Sequence, residues 1–256
     1  MTHYRSAMQK RFCRQVRTGH LQYKYKDSAK ALSKKMDYRN FRLSKINTDE
    51  FRHVKLLIFW PMFGMMFSFV ERFYKVGSYY VMHCEFDDVI PFCEWFLIPY
   101  LFWFVYLIGT LVYTFFFDVP AFKKMMGFII CTYTITMVIY LLFPTCQELR
   151  PEVFPRDNAL TRFIGWFYKF DTNTNVCPSI HVLGSAAAMF GLLDCRRLQK
   201  PWFKFFVVIA ALLICASTVF MKQHSVLDVI AAVPLCLLGH YLCYHRAEAP
   251  STAAVN

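Results

Sequence analysis

The first 50 residues contain no continuous apolar stretch, and from about residue 54 the chain changes character. Apolar segments then recur at about 54–74, 95–117, 125–144, 179–194, 203–221 and 225–244. Each approaches the roughly 20 residues that an α-helix needs to cross the hydrocarbon core of a bilayer. The pattern predicts an all-α, polytopic membrane protein built as a bundle of six transmembrane helices. The fourth segment is the shortest, but its run Gly184-Ser185-Ala186-Ala187-Ala188 offers the small side chains that let helices approach closely in lipid. Residues 1–53 read as a basic N-terminal tail in which Lys24 to Lys35 suits a surface helix resting on anionic lipid. Residues 54–246 then form one membrane domain, and 247–256 a short C-terminal tail. The start of the chain lacks the apolar core of a signal peptide, so the first apolar helix is expected to direct insertion.

Composition strengthens the membrane reading: 57% of the residues are hydrophobic and 18% charged, too apolar for an ordinary soluble domain. The net charge of +12 raises the alternative of a nucleic-acid partner, but 15 of the 29 Lys and Arg fall in residues 1–55 and the rest punctuate apolar runs. That distribution is expected of topology signals, and no nucleic-acid partner is expected. Alternation from a cytoplasmic N-terminus puts Lys123 and Lys124, then Arg196, Arg197, Lys200 and Lys204, and finally Arg246 inside. Glu85, Asp87, Asp88 and Glu94 fall outside. Residues 145–178 are also outside despite Arg150, Arg156, Arg162 and Lys169, an exception to the bias that points to an anion site. Within that stretch Asn158 to Lys169 reads as a short amphipathic helix at the surface, with Phe163, Trp166 and Phe167 towards lipid. Ten cysteines occur without a CxxC pair; Cys84, Cys93, Cys146 and Cys177 lie in outer loops, open to disulfides or free.

Ionisable side chains are costly in hydrocarbon, which singles out His181, His224 and Asp228 at the outer ends of the spans. If the last span begins near Gln223, His224 and Asp228 share one helical face. The carboxylate then fixes the imidazole tautomer and raises the basicity of the other ring nitrogen, which suits His224 to attack phosphorus. Pro178 suits a first helical turn whose free N–H groups favour an anion. Ser179 adds a hydroxyl, and His181 can protonate a departing alkoxide. Arg150 offers a bidentate guanidinium for phosphate. Asp171 and Asn175 are close enough in sequence to touch a headgroup hydroxyl. Glu71 and Arg72, which end the first span, read as an ion pair or as residues reaching the interface.

An Arg-Pro, a Pro-Ser-x-His and a His-x-x-x-Asp in this order resemble the three motifs of the type 2 phosphatidic acid phosphatase superfamily, Lys-x6-Arg-Pro, Pro-Ser-Gly-His and Ser-Arg-x5-His-x3-Asp. Here they stand as Phe143 to Pro151, Pro178 to His181 and Ser217 to Asp228. The run from Asp171 to His181 is similar to bacterial members carrying Asp-Thr-Pro-Thr-Asn ahead of Pro-Ser-x-His. The resemblance implies the six-helix fold shared with acid phosphatases and haloperoxidases, a catalytic domain over 54–246, and a site on the extracytoplasmic face of a bacterial cell membrane. It implies His224 as nucleophile, His181 as proton donor, no cofactor and no metal. Phe143, Thr218 and Ile180 depart from the motif Lys, Arg and Gly. That loss of two cations is similar to the sphingomyelin and inositol phosphorylceramide synthase branch, which moves phospho-headgroups between lipids; Lys222 or Arg156 then becomes a candidate replacement charge. Three readings stay open: a phosphatase of lipid phosphate esters, a headgroup transferase using phospholipid, and a non-catalytic transporter or scaffold.

Overall fold

The structure, a computed structural model, describes residues 36–74 and 76–245. The basic helix expected at Lys24 to Lys35, Arg246 and the tail 247–256 lie outside the described residues. A 3-10 segment, Arg52–Ile58, runs into α1, Phe59–Arg72. The long apolar helices α3, Leu97–Phe117, and α4, Val119–Leu142, follow a short helix α2, Glu85–Val89. The amphipathic α5 is Ala159–Phe170, and α6, Ile180–Asp194, α7, Pro201–Phe220, and α8, Val226–His240, complete the bundle. The only strands among the described residues, β1 at Tyr80–Val81 and β2 at Thr145–Cys146, pair in parallel in the connections.

Among the described residues, five helical stretches are long and apolar enough to cross a membrane: Arg52–Arg72, Glu94–Phe117, Val119–Leu142, Pro201–Phe220 and Val226–His245. The expected fourth span is the exception. As Ile180–Asp194 it has 15 residues, about 22 Å at 1.5 Å per residue, short of the ~30 Å hydrocarbon core. It sits at the centre, in contact with α3, α4, α7 and α8. Its small residues make that position available: Gly184, Ser185, Ala186, Ala187 and Ala188 are all buried. A Cβ on Gly184 would lie 2.6 Å from Tyr133 Oη and 2.9 Å from Trp103 Cζ2, so only glycine fits between those rings.

Large apolar side chains face outwards along the long helices, among them Met65 and Phe69 on α1, Phe205 and Leu212 on α7, and Ile230 and Leu237 on α8. A continuous apolar exterior of this kind is stable in lipid rather than in water. The interior carries Met125, Met126, Phe128 and Ile129 of α4 against Leu183 and Ala187 of α6 and Ile214 of α7. Asp118 alone separates α3 from α4: its carboxylate caps Ala121 N at 3.3 Å and accepts from Arg196 N at 3.2 Å, tying two turns together.

The amphipathic helix forms one residue later than its expected bounds, with Asn158 as N-cap and Thr161 closing a capping box. Phe163 and Trp166 are outward as expected, but Phe167 turns in and packs edge-on against Tyr100, 5.6 Å between ring centroids. Its helical position shares the buried face of Ile164 rather than that of Trp166. The described cysteines, Cys84, Cys93, Cys146 and Cys177 among them, are free thiols.

Candidate active site

His224 lies in the tight connection between α7 and α8, not on a helical face: α8 starts at Val226, and Ser225 is its N-cap. The spacing to Asp228 serves a capping box instead, because Asp228 occupies the third helical position and its Oδ2 accepts from Ser225 N at 3.0 Å. The same oxygen lies 3.1 Å from His224 Nδ1. One carboxylate thus caps the helix and orients the imidazole. Thr218 O closes the turn from behind, accepting from Gln223 N at 2.9 Å and His224 N at 3.1 Å.

His181 approaches from the first turn of α6, with Nδ1 3.3 Å from His224 Nε2. Its ring is packed by Tyr100 and Trp103 at 4.7 and 4.5 Å between centroids. Two backbone contacts set its height: Ser179 N donates to Asp228 O at 3.1 Å, and Tyr140 Oη donates to Pro178 O at 2.8 Å. Ser179 Oγ is buried and accepts from Val182 N at 3.5 Å, so this residue is the N-cap of α6. The Cys177 thiol sits beside the Asp228 carboxylate; burial, reinforced by that negative charge, pushes it up to about 12.

Both histidines open onto a cleft of about 30 Å³ whose walls include Tyr100, Tyr140, Asp171, Asn175 and Gln223, with no Lys or Arg among its lining residues. Asp171 Oδ2 accepts from Tyr100 Oη at 2.7 Å and from Gln223 Nε2 at 3.1 Å. Burial raises the Asp171 carboxyl above its ordinary value, against the opposing effect of the Tyr100 hydrogen bond and of nearby His224 and Arg150. Asn175, in a left-handed conformation at φ 52°, donates from Nδ2 to Glu71 Oε1 at 2.8 Å.

The expected cations are placed differently. Arg150 stacks on Tyr168 at 4.5 Å and donates to the carbonyls of Tyr168, Asp171 and Thr172 and to Gln223 Oε1, at 2.5–2.9 Å. It does not line the cleft itself but holds three residues that do, Asp171, Thr172 and Gln223. Lys222, offered by the sequence as a phosphate ligand, instead extends to the carbonyls of Asp87 at 2.6 Å and Ile90 at 2.5 Å. Its backbone φ of 53° turns the side chain onto α2, which two-residue proximity in sequence does not disclose. Arg156 pairs with Glu94 at 2.9 Å. Phe143 is exposed, and Thr218 Oγ1 bonds back to Cys215 O at 2.8 Å. Among the described residues, no group of three His, Cys, Asp or Glu is arranged to hold a metal ion.

Sequence reasoning missed Tyr100, Trp103, Tyr140 and Gln223, ordinary aromatics and an amide without a motif. It also read Glu71 only as an ion-pair partner or an interfacial residue, whereas Glu71 receives Thr172 Oγ1, Thr174 Oγ1 and Asn175 Nδ2 and so anchors the rim. With two imidazoles in contact and a carboxylate behind one of them, the arrangement can hold one nucleophilic nitrogen and one proton donor side by side.

Residues 124–250 match the PAP2 superfamily model. The PAP2 match contains Arg150, Ser179, His181, His224 and Asp228, and leaves α1, α2 and α3 outside it, with Glu71, Asp87, Tyr100 and Trp103. PAP2 proteins are generally phosphatases or phosphotransferases, and their fold is a helical membrane fold, as the five long apolar helices here are. No curated protein and no solved structure matches the chain.

Proposed function

We propose that the protein is a PAP2-type membrane enzyme that cleaves lipid phosphate esters through a phosphohistidine on the extracytoplasmic face. The observation that carries this reading is the contact chain Asp228–His224–His181, at 3.1 and 3.3 Å, opening onto a cleft. Asp228 holds Nδ1–H, so His224 Nε2 carries the lone pair that attacks phosphorus once the His181 N–H beside it turns to the leaving oxygen. The bond from phosphorus to the lipid oxygen breaks, and His181 gives that oxygen a proton. Water then attacks the phosphohistidine and yields its proton to His181, which releases phosphate and restores both imidazoles.

A second reading is favoured by a specific feature. The cleft walls carry Asp171 and no cation, which suits a singly charged phosphodiester better than a doubly charged monoester. In that case the hydroxyl of a second lipid takes the place of water, and the protein transfers a headgroup.

Wild type and His224→Ala in detergent, offered phosphatidic acid, a prenyl pyrophosphate, and phosphoinositide or phosphocholine lipids with and without diacylglycerol or ceramide, separate the readings. Free phosphate that depends on His224 supports hydrolysis. A new phospholipid that needs an acceptor supports transfer. Equal lipid turnover by the two proteins, or none by either, removes the catalytic reading.

A further inference from the structure

The turn that carries His224 is clasped from outside by α2, in a part of the chain that no motif covers. Asp87 is 1% exposed, and its carboxylate faces the start of α8. Oδ2 accepts from Ser225 Oγ at 2.5 Å, and Oδ1 accepts from Val226 N at 2.8 Å. In the opposite direction Lys222 Nζ reaches the carbonyls of Asp87 and Ile90 at 2.6 and 2.5 Å. Cys93 N adds a bond to Phe220 O at 3.0 Å.

These contacts enclose His224 on both sides in sequence. The first N–H groups of a helix have no intrahelical acceptors. Here Ser225 N goes to Asp228, Leu227 N to Ser225 Oγ, and Val226 N to Asp87, an acceptor more than a hundred residues away. Bonds from N–H and O–H to a buried carboxylate are short and strong, so they fix geometry better than neutral ones. Burial opposes the charge on Asp87, yet the bonds from Ser225, Val226 and Cys84 together outweigh it and hold the carboxyl below its ordinary range. Lys222 holds a left-handed backbone conformation that non-glycine residues seldom adopt, and its two carbonyl partners secure it there.

We propose that Asp87 and Lys222 are positioning residues that fix the His224 turn at the height where Nε2 meets His181. The clasp rests on the catalytic role given to His224, although its geometric part is testable without turnover. Asp87 touches neither imidazole, so its effect on the reaction passes through Ser225 and Val226.

The test uses the full chain in detergent with Asp87→Asn, Lys222→Met and Lys222→Arg, and with Asp88→Asn as control. Asp88 is exposed, and its carboxylate meets His83 Nε2 at 2.9 Å. On the lipid phosphate that wild type turns over, Asp87→Asn and Lys222→Met lower kcat on the order of 10–100-fold, the scale of a misplaced reacting group, with KM within about threefold. Lys222→Arg, which keeps donors for both carbonyls, recovers most of the loss, and Asp88→Asn matches wild type. Independently, carbethoxylation of His224 by diethyl pyrocarbonate, read by mass spectrometry against the exposed His245, rises severalfold in Asp87→Asn and Lys222→Met. Unchanged kcat with unchanged His224 labelling overturns the clasp, as does an unfolding temperature that falls in step with kcat. If wild type turns over no lipid, or His224→Ala turns it over equally, the proposed reaction fails, and the labelling ratio alone decides whether the clasp holds the turn.

Discussion

Asp228 has two tasks on one oxygen, capping Ser225 N and orienting His224 Nδ1. Replacing it by Asn can keep an amide oxygen at that position, accepting from both, but removes the negative charge that supports positive charge on His224 as it attacks. Asp228→Asn is therefore expected to lower kcat by roughly 10²-fold or more while the unfolding temperature shifts by only a few degrees; parallel turnover and thermal-melt measurements check this. Asp171 makes the opposite case. Its carboxyl is raised in the folded protein by burial, so the folded state binds a proton more tightly than the unfolded chain, and stability falls as pH rises from the ordinary carboxylate range through the raised value. Asp171→Asn, which still accepts from Tyr100 and Gln223, is expected to raise the unfolding temperature at neutral pH. That advantage shrinks below about pH 4, where the unfolded carboxyl is protonated as well. Melts of both proteins across that range test the sign. His181 and His224 were legible in the sequence because costly polar groups stood at the ends of apolar runs. Tyr100, Trp103 and Gln223 were not, because their types are common in such runs and only packing brings them to the imidazoles.

Among the elements, α6 depends most on close packing. The small-residue run predicted intimate contacts, and Gly184 lies where a methyl group would collide with Tyr133 and Trp103. Overpacking of that kind costs about 1–3 kcal/mol. Gly184→Ala is expected to lower the unfolding temperature and, because Trp103 also flanks the His181 ring, to reduce turnover more than the stability loss explains. Activity assayed well below the melting midpoint separates the two effects. Hydropathy marked α6 as a weak span, and at 15 residues it is too short by itself to cross the core; the four neighbouring helices supply its burial. The condition that the last helix begin near Gln223, early enough to hold His224, fails for a related reason, although the apolar segment 225–244 starts one residue from Val226. A His-x-x-x-Asp spacing fits both a helical turn and a capping box, and Ser225 as N-cap decides for the box.

At the scale of the molecule, the rim of the cleft is held by a residue of the first apolar helix. Glu71, at the end of α1, receives hydroxyl and amide donors from Thr172, Thr174 and Asn175 across a hundred positions of chain. Glu71→Ala leaves those groups without their acceptor and is expected to loosen the 172–175 loop; a KM that rises severalfold with a smaller change in kcat identifies the effect as one on substrate binding. The sequence by itself determined that the chain is a helical membrane protein, where most helices run, and which three ionisable side chains stand together, because apolar run length and the cost of buried charge are local properties that need no knowledge of contacts. Only the tertiary structure decided where the cations go. Arg150 is absorbed by carbonyls and Gln223, Arg156 by Glu94, and Lys222 by the α2 segment. A long charged side chain can reach several partners, and which of them lies within hydrogen-bond distance is fixed only when distant segments are folded together.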